Sequence, residues 1–153
     1  IEGLLDEMYV EAIADGSHLP AELLQLIYKV KGPRRVCLVT DSMCAAGMPD
    51  GEYSLGGVPC IKENGVAKLM DRSAFAGSVA TTDMLVRTFC NLTGAPLYDV
   101  VRMTSLTPAE MLGIGTRTGS IQVGKAADLL VFDEDVQLKH IVVAGRTEFS
   151  TLQ

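Results

Sequence analysis

The fold class follows from one run of residues, Val36-Cys37-Leu38-Val39-Thr40, and from the acid that comes next, Asp41. Five consecutive uncharged, mostly apolar residues predict a strand buried on both faces, as in a parallel sheet. The earlier run 9–14 predicts another strand, which ends at the polar turn Asp15-Gly16-Ser17-His18. With a helix between them, from about residue 20 to 30, the two strands predict a parallel βαβ unit and an α/β fold.

The helix between these strands is predicted from apolar spacing. Its apolar side chains fall at positions i, i+3, i+4 and i+7, namely Leu23, Leu26, Ile27 and Val30. Pro20 suits a first helical turn, and Gly32-Pro33 ends the pattern. The spacing predicts that this stripe faces the core.

Later segments change in character along the chain. Turn signals such as Asp50-Gly51 and Asn64-Gly65 bracket three predicted antiparallel strands, at 53–55, 58–62 and 66–69. Helices are predicted over 82–92 and 97–103, and Thr107-Pro108-Ala109-Glu110 has the residues of a capping box with Thr107 as N-cap. After Gly113 the sequence predicts strands at 120–123, 129–132 and 138–143.

The composition limits the classes of function. The 153 residues are 48% hydrophobic and 21% charged with a net charge of −6, which is typical of a globular domain and excludes disorder. An acidic chain offers no basic surface for nucleic acid or an anionic membrane, and no membrane span or signal peptide is predicted. Four cysteines without a CxxC pair indicate reduced thiols, and we expect a cytoplasmic protein. Because the first residue is Ile, we expect part of a longer protein.

Polar side chains follow both predicted parallel strands. Asp41 comes directly after one strand and His18 closely after the other, at the edge where α/β sheets assemble their sites. An acid placed by a buried strand is expected to be partly desolvated, which suits proton transfer. Each side chain has a structural alternative, since Asp41 could cap a helix and His18 could cap or pack. Ala76-Gly77-Ser78 is either a nest of backbone N–H groups or an ordinary loop before a helix.

A metal site is not predicted from these residues alone. The two histidines, His18 and His140, lie 122 positions apart, and there is no HxH or HExxH motif. His140 stands inside an apolar strand, which favours a structural role.

Several longer motifs resemble one family. They are Ile13-Ala14-Asp15-Gly16-Ser17-His18, Leu38-Val39-Thr40-Asp41-Ser42-Met43, Ala45-Ala46-Gly47-Met48-Pro49-Asp50-Gly51-Glu52-Tyr53, Phe75-Ala76-Gly77-Ser78, and Gly119-Ser120-Ile121 with Gly124-Lys125-Ala126-Ala127-Asp128-Leu129. In this order they resemble the N-acetylglucosamine-6-phosphate deacetylases of the amidohydrolase superfamily. The last motif is shared widely in the superfamily, whereas the first two are narrower.

The resemblance implies a fold and its boundaries. It implies the C-terminal part of a metal-dependent (β/α)8 TIM barrel over 1–112, with an antiparallel insertion around 51–70, and the C-terminal strands of a small β-sandwich over 113–153. A complete barrel takes about 250 residues. The resemblance therefore implies a divalent metal, zinc by expectation, whose ligands lie outside this chain.

The resemblance also implies roles for the candidate residues. Asp41 is implied as the catalytic acid/base, and His18, with Asp15, Gly16 and Ser17, as part of a loop that binds the sugar phosphate. Ala76, Gly77 and Ser78 are implied as further substrate contacts. Ser42 stands where the family usually has Ala, and its hydroxyl is expected beside the catalytic acid.

Three hypotheses about function follow. The first is hydrolysis of N-acetylglucosamine 6-phosphate to glucosamine 6-phosphate and acetate, by a longer protein that is a homodimer in the family. This chain is then a fragment that lacks the metal ligands, and we expect it to be inactive alone. The second keeps the superfamily but changes the substrate to another N-acyl or cyclic amide compound. The third is a sugar-phosphate-binding module without catalysis.

Overall fold

The computed structural model of the chain describes residues 6–152. Within that range, eight strands and four helices follow one another in the order β1, α1, β2, β3, β4, β5, α2, α3, α4, β6, β7, β8. Their bounds are Val10–Ala12, Ala21–Lys31, Val36–Leu38, Gly51–Leu55, Val58–Glu63, Val66–Leu69, Thr82–Thr93, Leu97–Thr104, Leu106–Met111, Leu129–Phe132, Leu138–Val143 and Arg146–Ser150. The strands form three sheets, β1-β2, β3-β4-β5 and β6-β7-β8.

The predicted βαβ unit is confirmed. Strands β1 and β2 pair in parallel, with Val10 opposite Val36 and Ala12 opposite Leu38, and α1 connects them. All three residues of β2 are buried, as the continuous apolar run predicts. Because the strands are parallel, the loops after β1 and β2 leave the sheet at the same edge.

The main core lies between this pair of strands and the helices. Its fully buried side chains include Phe89 and Leu85 of α2, Val100 and Met103 of α3, and Leu24 of α1. The predicted helix over 82–92 is thus confirmed, and so is the burial of its apolar face. Close packing of these large side chains makes the core the dominant source of stability.

The predicted stripe of α1 is wrong by one position. Leu24 is fully buried and Ile27 packs partly against the core, whereas Leu26 is 55% exposed, and Leu23 and Val30 are exposed as well. Residues 24, 27 and 28 have the same helical spacing as the predicted stripe, so spacing alone does not choose between them. Tyr28 fixes the choice, because its ring packs on Phe89 with centroids 5.9 Å apart at 84°.

The predicted capping box is also wrong. Helix α4 begins at Leu106, so Thr107 lies inside the helix and not at its N-cap. Its buried hydroxyl donates a hydrogen bond of 2.6 Å to the carbonyl of Pro33. A bond between residues 74 positions apart replaces the local cap that the motif predicts.

The antiparallel hairpins between residues 51 and 69 are confirmed. Strand β4 pairs with β3 on one side and with β5 on the other, and Cys60 and Ala67 face a small second core with Met43, Ala45 and Ala76. This second core joins the hairpins to the loop that follows β2.

The C-terminal sheet differs from the prediction in two places. Residues 120–123 form a loop, in which the Ile121 side chain is 88% exposed. Lys125 fixes this loop, since its ammonium group donates to the carbonyl of Thr118 at 3.3 Å and to the hydroxyl of Ser120 at 2.7 Å. Strand β8 was not predicted; it returns antiparallel to β7 after the turn Ala144-Gly145. The predicted domain boundary at 112/113 stays a prediction.

None of the helices within residues 6–152 combines the length and apolar character that a bilayer span requires.

Candidate active site

The backbone of Asp41 is held in an unusual conformation just beyond β2. Its φ of +48° lies in the left-handed region, which a residue with a β-carbon adopts only when its surroundings enforce it. The carbonyl of Asp41 accepts a hydrogen bond of 2.8 Å from the N–H of Ser78, and the N–H of Met43 donates one of 2.9 Å to the carbonyl of Ser78. Residues 42 and 78 thereby form a parallel bridge.

Two serine hydroxyls complete this arrangement, and we refer to Ser42 and Ser78 as the serine clamp. The hydroxyl of Ser42 donates to the carbonyl of Ala80, while the hydroxyl of Ser78 donates to the carbonyl of Thr40. Each hydroxyl thus joins the segment around Asp41 to the segment 78–80. The clamp fixes the backbone on both sides of Asp41 and so fixes the direction in which its Cα–Cβ bond leaves the chain.

Two expectations about this turn are corrected. Asp41 is exposed, so it is not the partly desolvated acid that its place after a buried strand predicts. Within residues 6–152 no element packs over the Asp41 side chain, which is the physical reason. The proton of the Ser42 hydroxyl is donated to the carbonyl of Ala80, so it is not donated to the acid.

The loop after β1 is organised by Asp15. Its Oδ1 accepts hydrogen bonds of 2.9 Å from the N–H groups of Ser17 and His18, and its Oδ2 lies 2.8 Å from Nδ1 of His18. Burial by itself raises the pKa of Asp15, but the hydrogen bonds from His18 and Ser17 outweigh it and hold that pKa below its usual value. Gly16 and Ser17 are exposed at the loop surface.

The segment from Phe75 to Ser78 links the two loops. The Phe75 ring lies 4.6 Å from the His18 ring, centroid to centroid, with 34° between their planes. At the other end, a β-carbon on Gly77 would lie 2.9 Å from the carbonyl oxygen of Asp41 and 3.9 Å from its carboxylate Oδ2. His18 and Asp41 therefore flank one short segment.

The nest reading of Ala76-Gly77-Ser78 is disfavoured by its hydrogen bonds. The N–H of Ala76 donates to the carbonyl of Ala67 at 3.0 Å, and the N–H of Ser78 donates to Asp41. These two donors are already used, which favours the alternative of an ordinary loop before α2. Contact of the three residues with a substrate stays a prediction.

Phe75 is the site residue to which sequence reasoning assigned no role. It stands directly before Ala76-Gly77-Ser78, and an aromatic side chain that is 43% exposed beside a histidine is the structural sign of its importance. In the sequence, the only sign of its role is its position in the motif Phe75-Ala76-Gly77-Ser78.

No cluster of three or more His, Cys, Asp or Glu side chains within residues 6–152 is arranged to hold a metal ion. The residues that the structure describes therefore do not provide a complete metal site.

The sequence of the chain matches a known protein family along most of its length. The family model described as "Amidohydrolase family" matches residues 5–148. The chain belongs to the amidohydrolase family. Membership of this family implies a divalent metal. Residues 6–152, however, contain no cluster of side chains that could hold one.

Relatives of this amidohydrolase include named deacetylases. The N-acetylglucosamine-6-phosphate deacetylase of Lysinibacillus sphaericus is 34% identical over 97% of this chain and 38% of its own length. The N-acetylgalactosamine-6-phosphate deacetylase of Escherichia coli O157:H7 is 37% identical over 94% of this chain and 38% of its own. The chain thus spans 38% of the length of these two curated relatives.

Solved structures of deacetylases have a similar fold. N-acetylglucosamine-6-phosphate deacetylase from Thermotoga maritima superposes with a TM-score of 0.91 at 35% identity, covering 98% of this chain and 41% of that one. An aspartate-to-alanine variant of the Mycobacterium smegmatis enzyme, in complex with N-acetyl-D-glucosamine 6-phosphate, superposes with a TM-score of 0.85 at 34% identity, over 91% of this chain and 37% of that one. These similarities confirm the predicted fold class, α/β with part of an amidohydrolase barrel followed by strands of a small β domain.

Proposed function

We propose that this chain takes part in the hydrolysis of N-acetylglucosamine 6-phosphate to glucosamine 6-phosphate and acetate. The observation that carries the proposal is the placement of Asp41 and His18 on either side of the segment 75–78. It is supported by similarity to deacetylases along 97% of the chain.

Asp41 is proposed as the acid/base residue. Its carboxylate accepts a proton from the water that attacks the acetyl carbonyl carbon. When the bond between that carbon and the nitrogen breaks, Asp41 returns the proton to the departing amine. The fixed backbone at Asp41 supports this role, because a group that must accept and return one proton needs a constant position relative to the substrate.

His18 is proposed to bind the substrate phosphate, together with the loop of Asp15, Gly16 and Ser17. An imidazole nitrogen that can donate or accept a hydrogen bond suits a phosphate monoester, whose second pKa is about 6. Ala76, Gly77 and Ser78 are proposed to contact the sugar where they pass between His18 and Asp41.

The finer proposal for the metal is zinc, bound by ligands that lie outside residues 6–152. The described side chains do not form such a site, so Asp41 and His18 are assigned only the proton and phosphate chemistry of their own groups. The homodimer and the cytoplasmic location stay proposals as well.

A second substrate is favoured by one finding. The relative from Escherichia coli O157:H7, which is 37% identical, is named for N-acetylgalactosamine 6-phosphate. That sugar differs from the glucosamine derivative only in the configuration at C4. Initial rates on the two phosphorylated sugars, measured side by side, distinguish the two substrates.

The test of the proposed function uses the longer protein of which these 153 residues are proposed to be a part, because the metal ligands are proposed to lie outside residues 6–152. Acetate release from N-acetylglucosamine 6-phosphate is measured with added Zn²⁺, and binding is measured by calorimetry with the phosphorylated and unphosphorylated sugars. We expect Asp41→Asn to keep binding and to lower turnover at least about 100-fold, the scale of acid/base catalysis. Glu52→Gln, an exposed acid on β3, is the control and keeps turnover.

Three results would contradict the proposal. Turnover that survives Asp41→Asn removes Asp41 from the mechanism. Binding without turnover in any form favours a sugar-phosphate-binding module. A longer protein that neither binds the phosphorylated sugar nor releases acetate refutes the function altogether.

A further inference from the structure

The His18 ring is held from two directions by side chains that have no established role. Its Nδ1 faces the Asp15 carboxylate at 2.8 Å, and its face packs against Phe75 at 4.6 Å. The side chains of His18 and Asp15 are 18% and 8% exposed, so this pair is largely shielded from water. A hydrogen bond with little exposure restricts the ring more than a surface contact does.

The contact with Asp15 determines which ring nitrogen carries the hydrogen. A carboxylate has no proton to donate, so Nδ1 must be the donor, and in the neutral ring Nε2 is then the nitrogen with the free lone pair. Within the part of the chain that the structure describes, no hydrogen bond reaches Nε2 of His18. Nε2 is therefore the ring nitrogen available to a ligand.

Two backbone N–H groups of the loop are already engaged. The N–H groups of Ser17 and His18 both donate to Oδ1 of Asp15. These two N–H groups are therefore engaged within the loop and are not free donors to a substrate. The loop presents the ring of His18 instead.

We propose that Asp15 and Phe75 are positioning residues, which fix the His18 ring so that Nε2 hydrogen-bonds to an oxygen of the substrate phosphate. This inference rests on the proposed function and assigns the atoms within it. This hydrogen bond needs one proton, which is taken up from water when the neutral ring meets a phosphate dianion and then lies between Nε2 and the phosphate oxygen. The Asp15 carboxylate holds Nδ1 as a donor in a charge-assisted hydrogen bond, and Phe75 prevents the ring from turning away.

The first test reads the tautomer directly, without ligand. Long-range ¹H–¹⁵N spectra of the ¹⁵N-labelled chain distinguish a protonated Nδ1 from a protonated Nε2. The chain has two histidines, so the His140→Gln variant assigns the His18 signals. We expect the neutral His18 ring to carry its hydrogen on Nδ1. A hydrogen on Nε2 in the wild-type chain would overturn the proposal, whatever the binding results.

The variant Asp15→Asn tests whether the Asp15 carboxylate determines which nitrogen of the His18 ring carries the hydrogen. The amide oxygen of Asn can keep both backbone hydrogen bonds of the loop, while its NH₂ group takes the place of Oδ2 and donates to Nδ1. The ring hydrogen is then expected to move to Nε2. We also expect about tenfold weaker binding of N-acetylglucosamine 6-phosphate, because a neutral hydrogen bond then replaces the charge-assisted bond that holds the His18 ring. Binding of the unphosphorylated sugar should not change.

A matched control exists in the C-terminal sheet. Asp133 has the same pattern, since Oδ1 accepts from the N–H groups of Asp135 and Gln137 and Oδ2 pairs with Lys139 at 2.9 Å. Asp133→Asn is expected to leave both the His18 tautomer and sugar-phosphate binding unchanged. Phe75→Leu should keep the tautomer and weaken binding about threefold to tenfold, the scale of one aromatic contact.

The outcomes separate this inference from the proposed function. If the longer wild-type protein does not bind the phosphorylated sugar, the function is refuted, and the tautomer alone then tests the role of Asp15. A longer wild-type protein that binds this sugar, with no loss in Asp15→Asn, refutes the positioning role. If Asp15→Asn proves unfolded by circular dichroism, the wild-type tautomer and Phe75→Leu decide the matter.

Discussion

The substitution Gly77→Ala tests how tightly the turn at Asp41 is packed. Gly77 has a φ of +68°, where an added β-carbon costs about 1 kcal/mol. That β-carbon would also lie 2.9 Å from the carbonyl oxygen of Asp41, a backbone atom that cannot move aside as a flexible side chain would.

The same oxygen accepts the 2.8 Å hydrogen bond from Ser78, so relieving the clash weakens that bond at a cost of about 1 kcal/mol. Together the two effects lower the free energy of unfolding by about 2 kcal/mol. Gly47→Ala is the matched control, because Gly47 has a φ of +73° and no atom within 4 Å of an added β-carbon. Gly47→Ala should lower the free energy of unfolding by only about 1 kcal/mol, which is the cost of placing alanine at a positive φ.

Urea denaturation followed by circular dichroism measures both variants, since the chain has no tryptophan for fluorescence. Equal losses of stability in Gly77→Ala and Gly47→Ala would refute the close approach to Asp41. The activity assay adds a second comparison, in which Gly77→Ala lowers turnover and Gly47→Ala does not.

Two further predictions concern the packing of the helices. The Tyr28 hydroxyl donates a 2.5 Å hydrogen bond to Asp99, which raises the pKa of Tyr28 to about 12. The pKa of Tyr28 in the folded state lies above its unfolded value, so the bond stabilises the protein fully below about pH 10. Its contribution is lost as the pH rises towards 12. In alkaline denaturation, the free energy of unfolding of Tyr28→Phe should therefore depend less steeply on pH than that of the wild type. Thr107→Val removes the buried donor to Pro33 and should lower the free energy of unfolding by about 1–2 kcal/mol, whereas Thr116→Val, at an exposed position, should change it by less than about 0.5 kcal/mol. Urea denaturation of both threonine variants checks this, and equal losses would contradict it.

Much of the fold could be predicted because the local pattern and the tertiary structure agree. The apolar run of β2 and the helical spacing of Leu85, Val86 and Phe89 each match the surface that is buried. The first helix shows the limit of this reasoning. Two stripes one residue apart have the same period, and only the contact of Tyr28 with Phe89 selects between them.

Other differences arise from interactions between residues far apart in the sequence. The hydroxyl of Thr107 bonds to Pro33 and not to its own helix end. The left-handed backbone of Asp41 is enforced by segment 76–80 from across the site. Phe75 gains its importance only through the distant His18 ring. Strand β8 has one large apolar side chain, Phe149, so its pattern gives little sign of a strand.

The serine clamp also bears on how the site moves. Because each hydroxyl bonds to the opposite segment, the turn of Asp41 cannot open unless the segment ending at Ala80 separates from it. The two segments therefore form one cooperative unit of local unfolding, and their backbone amides exchange with solvent hydrogen through a common opening. The acid at the centre of the site thus has the dynamics of packed structure, although it lies in a surface loop.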